Sequence, residues 1–236
     1  MKQLLLFDID GTLVDTAGAG LEALRAGMRD AFPAQSRAPL PPLDLRGATD
    51  AGVIRDLFEA CGVEGSLQNR EQFVAAYLRR LQQFLSAPPG SALPRALPGV
   101  GALLSHLSAN PDRFTIGLLT GNLEAGALAK LRHFDLDRFF SFGAYGLDRE
   151  HRIELGPVAL HRAFLATGRS FSGKETVIIG DTPKDVECAR AFGARCVAVT
   201  TGGYSAEDIA PHEPDALVPD LASPARILEI LSAWIP

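Results

Sequence analysis

The chain has 236 residues, 47% apolar and 22% charged, an ordinary globular composition with enough apolar material for one large domain or a core with a smaller insert. Its formal net charge of −5, with no basic run, argues against a nucleic-acid partner. Three widely spaced cysteines (Cys61, Cys188, Cys196) without a CxxC argue against a disulfide framework or a zinc site and point to a reducing cytoplasm.

The chain opens on MKQLLLFDID, too short and too soon acidic for a signal peptide, and no later apolar run approaches the ~20 residues of a membrane helix. Gln3–Phe7 is an apolar run without polar alternation, as in a strand buried on both faces of a parallel sheet. It runs straight into Asp8, Asp10, Gly11 and Thr12. Asp-x-Asp-Gly also opens calcium loops, but the twelfth position, where such a loop needs Glu, is Ala19.

Residues 16–95 contain no convincing strand. Leu21, Leu24, Met28 and Phe32 mark a helix over 20–32. A second is predicted over 50–61, between Thr49 as N-cap and Gly62 as stop. A third, over 70–85, is predicted to start from Asn69 and Gln72, an Asn form of the capping box. Proline-rich stretches at Pro39–Pro42 and Pro88–Pro98 divide and close this region. The expected organisation is an α/β core, 1–15 and 96–236, with an all-helical insert, 16–95, between its first strand and the rest.

Beyond the insert, apolar strands at Phe114–Leu119, Thr176–Ile179 and Cys196–Val199 alternate with helices predicted over 100–108, 123–132, 155–166, 183–192 and 224–234. Thr120, Gly121 and Asn122 follow the second strand. Gly180, Asp181 and Thr182 follow the third, with Asp185 close behind. Ligands of open parallel sheets bind beyond the carboxyl ends of the strands, and here those ends carry acids, a hydroxyl and glycines.

Asp8 and Asp181, brought together, would repel without a cation between them, and hard carboxylate oxygens favour Mg²⁺. With a phosphate held there, Asp8 could attack phosphorus to give an aspartyl-phosphate. Asp10 could protonate the leaving alcohol and then take a proton from the attacking water. Thr120 and the amides of Gly121 and Asn122 would hold phosphate oxygens, with a basic side chain still needed.

This arrangement resembles the haloacid dehalogenase-like superfamily of phosphatases. DIDGTLVD (8–15), LLTGN (118–122) and GDTPKD (180–185) match its first, second and fourth motifs in order. The helical insert is similar to the small cap of its phosphoglycolate phosphatase-like subgroup. The resemblance implies a Rossmann-like three-layer core with a parallel sheet, a mobile helical cap and Mg²⁺. It implies Asp8 as nucleophile and Asp10 as acid/base. It also implies a metal held by Asp8, the backbone carbonyl of Asp10 and Asp181, with Asp185 in support.

One departure stands out. The family's third motif offers a Lys before a helix, whereas DREHRIELGPVALHRA (148–163) has none; Arg152 stands in its place, with Arg149 as competitor. Lys174 falls at the wrong end of its strand, and Lys184 is expected to face solvent. In the insert, Arg46-Gly47-Ala48-Thr49-Asp50 resembles the loop that small-cap members place over the substrate, so Arg46 or Thr49 could read the substrate's non-phosphate end; Thr49 is somewhat better suited to capping the next helix.

The expected activity is a phosphatase for a small phosphorylated metabolite, in a cytoplasmic monomer or homodimer with no nucleic-acid or membrane partner. A β-phosphoglucomutase-like phosphomutase would share Asp8 and Asp10. Dehalogenase and phosphonate chemistry fit less well, because Asp10 suits a phosphate leaving group. A non-catalytic phosphate sensor or partner-binding scaffold would have no chemical need for Asp8, Asp10, Thr120 and Asp181 together.

Overall fold

A computed structural model describes residues 2–36, 40–43 and 45–234, which leaves Pro39 of the first proline-rich stretch outside the described residues. In chain order the elements are β1 (Gln3–Phe7), β2 (Val14–Asp15), α1 (Ala19–Ala31), α2 (Asp50–Cys61), α3 (Leu67–Ser86), β3 (Arg95–Ala96), α4 (Val100–Ser108), β4 (Phe114–Leu119), α5 (Glu124–His133), β5 (Gly143–Ala144), α6 (Leu155–Thr167), β6 (Thr176–Gly180), α7 (Pro183–Ala191), β7 (Arg195–Val199), α8 (Ala206–Ile209), β8 (Ala216–Val218) and α9 (Pro224–Ala233).

Among the described residues, six strands form one parallel sheet in the order β5-β4-β1-β6-β7-β8. β1 lies at its centre, and its five residues are all buried because both faces are covered. Side chains alternate across the sheet: Leu5 and Phe7 meet Leu103, Leu107 and Leu131 of α4 and α5, whereas Leu4 and Leu6 meet Leu155 and Ala159 of α6. The result is a three-layer α/β fold.

Strands β5 and β8 are two and three residues long, too short for apolar periodicity to announce. β2 and β3 pair antiparallel, Val14 with Ala96 and Asp15 with Arg95, where the chain leaves the sheet layer and where it returns. An Arg95–Asp15 ion pair at 3.2 Å spans that ribbon.

Helices α1, α2 and α3 share a separate apolar cluster built on Leu24, Met28, Leu57, Phe58, Phe73 and Tyr77. Phe58 stands edge-on to both Phe32 and Phe73, with centroids 5.5 and 5.6 Å apart. α1 crosses α3 at Gly27, where a Cβ would lie 2.8 Å from the Tyr77 amide nitrogen, so the crossing excludes a side chain. Thr49 and Gly62 do bound α2, and Gly62 adopts φ 65°. α3, however, begins earlier than predicted. Its N-cap is Ser66, which accepts from the Asn69 amide, while the Asn69 side chain donates to the Glu64 carbonyl. A serine with extended backbone three residues before Asn69 takes the orphan amide first.

Leu123, at the start of α5, packs into the helical cluster, which ties that layer to the carboxyl edge of the sheet. No helix among the described residues is long and apolar enough to cross a membrane.

Candidate active site

Each central strand delivers its next residues to the same edge. Asp8 follows β1, Thr120 follows β4 and Asp181 follows β6, and all three are buried. Gly11 bends the chain away after β1 at φ 79°, and a Cβ there would lie within 3 Å of Asp181 and Gly202. The Thr12 hydroxyl donates to Asp181 Oδ1 at 3.2 Å, so the turn and the β6 end brace each other.

Carboxylate oxygens of Asp8, Asp181 and Asp185 all lie within 4.8 Å of one another. Burial pushes the Asp8 carboxyl up to about 6; Arg152 opposes the rise, Asp185 and Asp10 add to it, and a hydrogen bond from Thr120 opposes it. Burial, and then the charges of Asp8 and Asp185, push Asp181 well above the carboxylate range, against Arg152 and the Thr12 hydroxyl. Three buried carboxyl groups facing one guanidinium leave excess negative charge. A divalent cation on hard oxygen donors would neutralise it, so the donor set fits one.

Asp185, expected in support of a metal, has both carboxylate oxygens engaged by protein donors. Its Oδ2 accepts from the Thr182 amide at 3.0 Å and hydroxyl at 2.7 Å, and its Oδ1 accepts from Arg152 Nη2 at 2.5 Å. It caps α7 and anchors the arginine. Arg152 is 6% exposed, and Nη2 also stands 3.2 Å from Asp8 Oδ1. Arg149 is exposed and donates to the neighbouring Asp148 carbonyl. Lys174 and Lys184 are exposed as well.

Asp10 turns its side chain to a different set of partners. Its Oδ2 accepts from Lys130 Nζ at 2.6 Å and from Asn122 Nδ2 at 2.8 Å. Asn122 Oδ1 also accepts from Lys130, at 2.6 Å, and Asn122 Nδ2 reaches Thr120 Oγ1 at 2.8 Å. Thr120 is fully buried behind Asp8, off the cavity wall, whereas Gly121 and Asn122 line it.

The cavity over this edge holds about 380 Å³. Asp8, Asp10, Asp181, Arg152 and Lys130 line its floor; Leu21, Leu24 and Tyr77 from α1 and α3 supply apolar wall. Arg46 lines it too, its guanidinium 5.0 Å from the Tyr204 ring centroid. Thr49 does not line it. Its hydroxyl caps α2 by accepting from the Gly52 amide and donates to the Glu150 carbonyl at 2.5 Å.

The start of α2 is pinned to the sheet edge. The Asp50 amide donates to the Gly121 carbonyl at 2.7 Å, the Ala51 amide to the Gly146 carbonyl at 3.0 Å, and Asp50 Oδ2 accepts from the Leu123 amide at 2.7 Å. A Cβ on Gly121 would strike the Ala48 carbonyl.

Sequence reasoning passed over five lining residues. Lys130 lies on the buried face of α5 with Gly126, Ala127 and Leu131, which the Ala127–Leu131 spacing marks. Asp50 stood inside the quoted 46–50 stretch. Thr201, Gly202 and Gly203 follow β7 just as other site residues follow their strands, and the Thr201 hydroxyl donates to the Gly11 carbonyl at 2.5 Å.

Residues 5–199 match the family model of haloacid dehalogenase-like hydrolases, and the chain belongs to that family. It is 27% identical to the "Probable phosphatase IndB" of Dickeya dadantii, over 92% of this chain and 90% of that protein. It is 30% identical to the phosphoglycolate phosphatase of Yersinia pestis, over 92% and 88%. The solved structure of a hydrolase from Pseudomonas syringae shares the fold at a TM-score of 0.69 and 20% identity, with 97% of this chain and 98% of that one covered.

Proposed function

We propose that the protein is a Mg²⁺-dependent phosphatase that hydrolyses a small phosphate monoester through an aspartyl-phosphate on Asp8. The observation that carries the reading is the setting of Asp8: buried at the sheet's carboxyl edge, 3.2 Å from a buried guanidinium and in one cavity with Asp10. The phosphatase names of the similar proteins support the reaction class, and the phosphoglycolate phosphatases among them favour a short, phosphoglycolate-like substrate.

Asp8 Oδ attacks phosphorus, and the phosphorus–oxygen ester bond breaks. Asp10 gives its proton to the departing alkoxide. A water then attacks the aspartyl-phosphate, its proton passes to Asp10, and phosphate leaves with Asp8 restored. Arg152 meets the charge on the transferring group, and the amides of Gly121 and Asn122 orient its oxygens. Asp8, the Asp10 carbonyl and Asp181 would hold the magnesium ion, with Asp185 in support through Arg152 and Thr182. When bound, the ion neutralises charge on the phosphate and its acidic cradle.

Residues 16–95 act as a cap, swinging on the β2–β3 ribbon. The cavity of about 380 Å³ beneath it would exclude bulky phosphoesters, and closure would exclude bulk water. Arg46 and the walls from α1 and α3 meet the leaving group.

The test is phosphate release from nitrophenyl phosphate with and without Mg²⁺, for wild type and Asp8→Asn. Metal-dependent release that Asp8→Asn abolishes is the expected result; release that survives Asp8→Asn overturns the mechanism. A panel of small metabolite phosphates, read for free phosphate and for isomerised product, separates phosphatase from phosphomutase.

A further inference from the structure

Lys130 is 4% exposed, and a buried ammonium must find acceptors. It has two, Asp10 Oδ2 and Asn122 Oδ1, both at 2.6 Å. Above it lies α1, where a Cβ on Gly20 would sit 3.5 Å from Nζ. The side chain therefore crosses from α5, beneath the helical layer, to the acid that follows β1.

The two oxygens of Asp10 are treated differently. Oδ2 receives Lys130 and the Asn122 amide group. Oδ1 accepts from the Thr16 hydroxyl at 3.5 Å, the limit of hydrogen-bond reach. A carboxyl group pinned through one oxygen by two donors cannot rotate freely about its side-chain torsions, and its second oxygen stays available to a reacting group.

We infer that Lys130 is a positioning residue for the proton transfer: together with Asn122 it fixes Asp10 through Oδ2, so that Oδ1 delivers the proton to the leaving oxygen. The inference rests on the phosphatase reading. It makes Lys130 a second cation with a separate task, since Arg152 serves Asp8 and Asp185 while Lys130 serves Asp10.

Leaving-group dependence separates positioning from mere structural support. A well-placed acid neutralises the leaving oxygen as it departs, so kcat/KM varies little between nitrophenyl phosphate, a good leaving group, and simple alkyl phosphates, poor ones. Losing that acid spares the first and penalises the second. Asp10→Ala supplies the reference pattern. Lys130→Met should lower kcat/KM for alkyl phosphates by about 100-fold, and for nitrophenyl phosphate by less than about tenfold. In an Asp10→Ala background, Lys130→Met should cost nothing further. Should Lys130→Met fold poorly, Lys130→Gln, which keeps a shorter, uncharged NH₂ donor group, should give the same pattern at smaller amplitude. Equal losses for all substrates, or the same loss with and without Asp10, would overturn the inference and leave the phosphatase reading standing. A wild type that releases phosphate from none of them defeats both.

Discussion

Arg152 Nη2 stands 3.2 Å from Asp8 Oδ1 and 2.5 Å from Asp185 Oδ1, so one buried nitrogen joins the proposed nucleophile to the cap of α7. The arginine comes from the loop before α6, and the two acids follow β1 and start α7. Three segments distant in sequence thus meet on one charge.

Arg152→Ala should therefore act on both stability and turnover. It leaves two buried carboxyl groups without their counter-charge, a loss of about 3–5 kcal/mol by analogy with broken buried pairs. Arg152→Lys keeps the charge on a single nitrogen and should recover most of the stability but not the catalytic rate, with kcat down about 100-fold. Chemical denaturation alongside kinetics checks this; a Lys variant with full kcat would show that the arginine geometry is irrelevant.

Metal binding should be visible without turnover. A divalent cation that binds only the folded state stabilises it by about 2.7 kcal/mol at a hundredfold excess over Kd. Mg²⁺ should raise the melting temperature of wild type and have little effect on Asp181→Asn. Metal-free, Asp181→Asn should melt above wild type near neutral pH, because it removes one of three crowded acids. An identical Mg²⁺ shift in both proteins would place the cation elsewhere.

Asp50 offers a pH test away from the acidic cluster. Burial pushes its carboxyl up to about 6, against the Leu123 amide and Lys130. A carboxyl whose folded pKa lies above its unfolded value binds more protons folded than unfolded between the two. Its contribution to stability therefore falls as pH rises from about 4 to about 6, by roughly 3 kcal/mol at most. Asp50→Asn keeps an acceptor for the Leu123 amide without the charge. It should equal wild type in melting temperature near pH 4 and exceed it near pH 7.5. The same difference at both pH values would remove burial as the cause.

The helical layer meets the sheet edge through a close backbone approach at Gly121. Its Cβ would collide with the Ala48 carbonyl, although its φ is not in the left-handed range. Gly121→Ala should hold the helical layer away from the sheet edge and lower kcat/KM at least tenfold. The melting temperature should change by only a few degrees, since both apolar clusters are kept. Unchanged kinetics would mean that the contact is dispensable.

The strands read at Gln3–Phe7, Phe114–Leu119 and Thr176–Ile179 were legible because a strand covered on both faces must be apolar throughout, and the polar residue that follows each run is then conspicuous. β5 and β8 were not, since two or three residues carry no period. The sharp start of α2 at Thr49 and its stop at Gly62 were likewise local chemistry, whereas the start of α3 turned on which of two capping residues the chain used.

What the sequence alone determined, then, is the α/β class and the line of acids and hydroxyls at the strand ends, because strand burial and turn chemistry are local. What the tertiary structure decided is which charges meet. A lysine on a helix is solvated or buried according to what packs over it, and Lys130 lies 120 residues from Asp10. Arg152 and Arg149 are three residues apart in one loop, and only the packing of α7 against it buries the first with Asp8 and leaves the second in water. Charge pairing in a low-dielectric site depends on distance in space and on excluded water, and neither is encoded in any short stretch of chain.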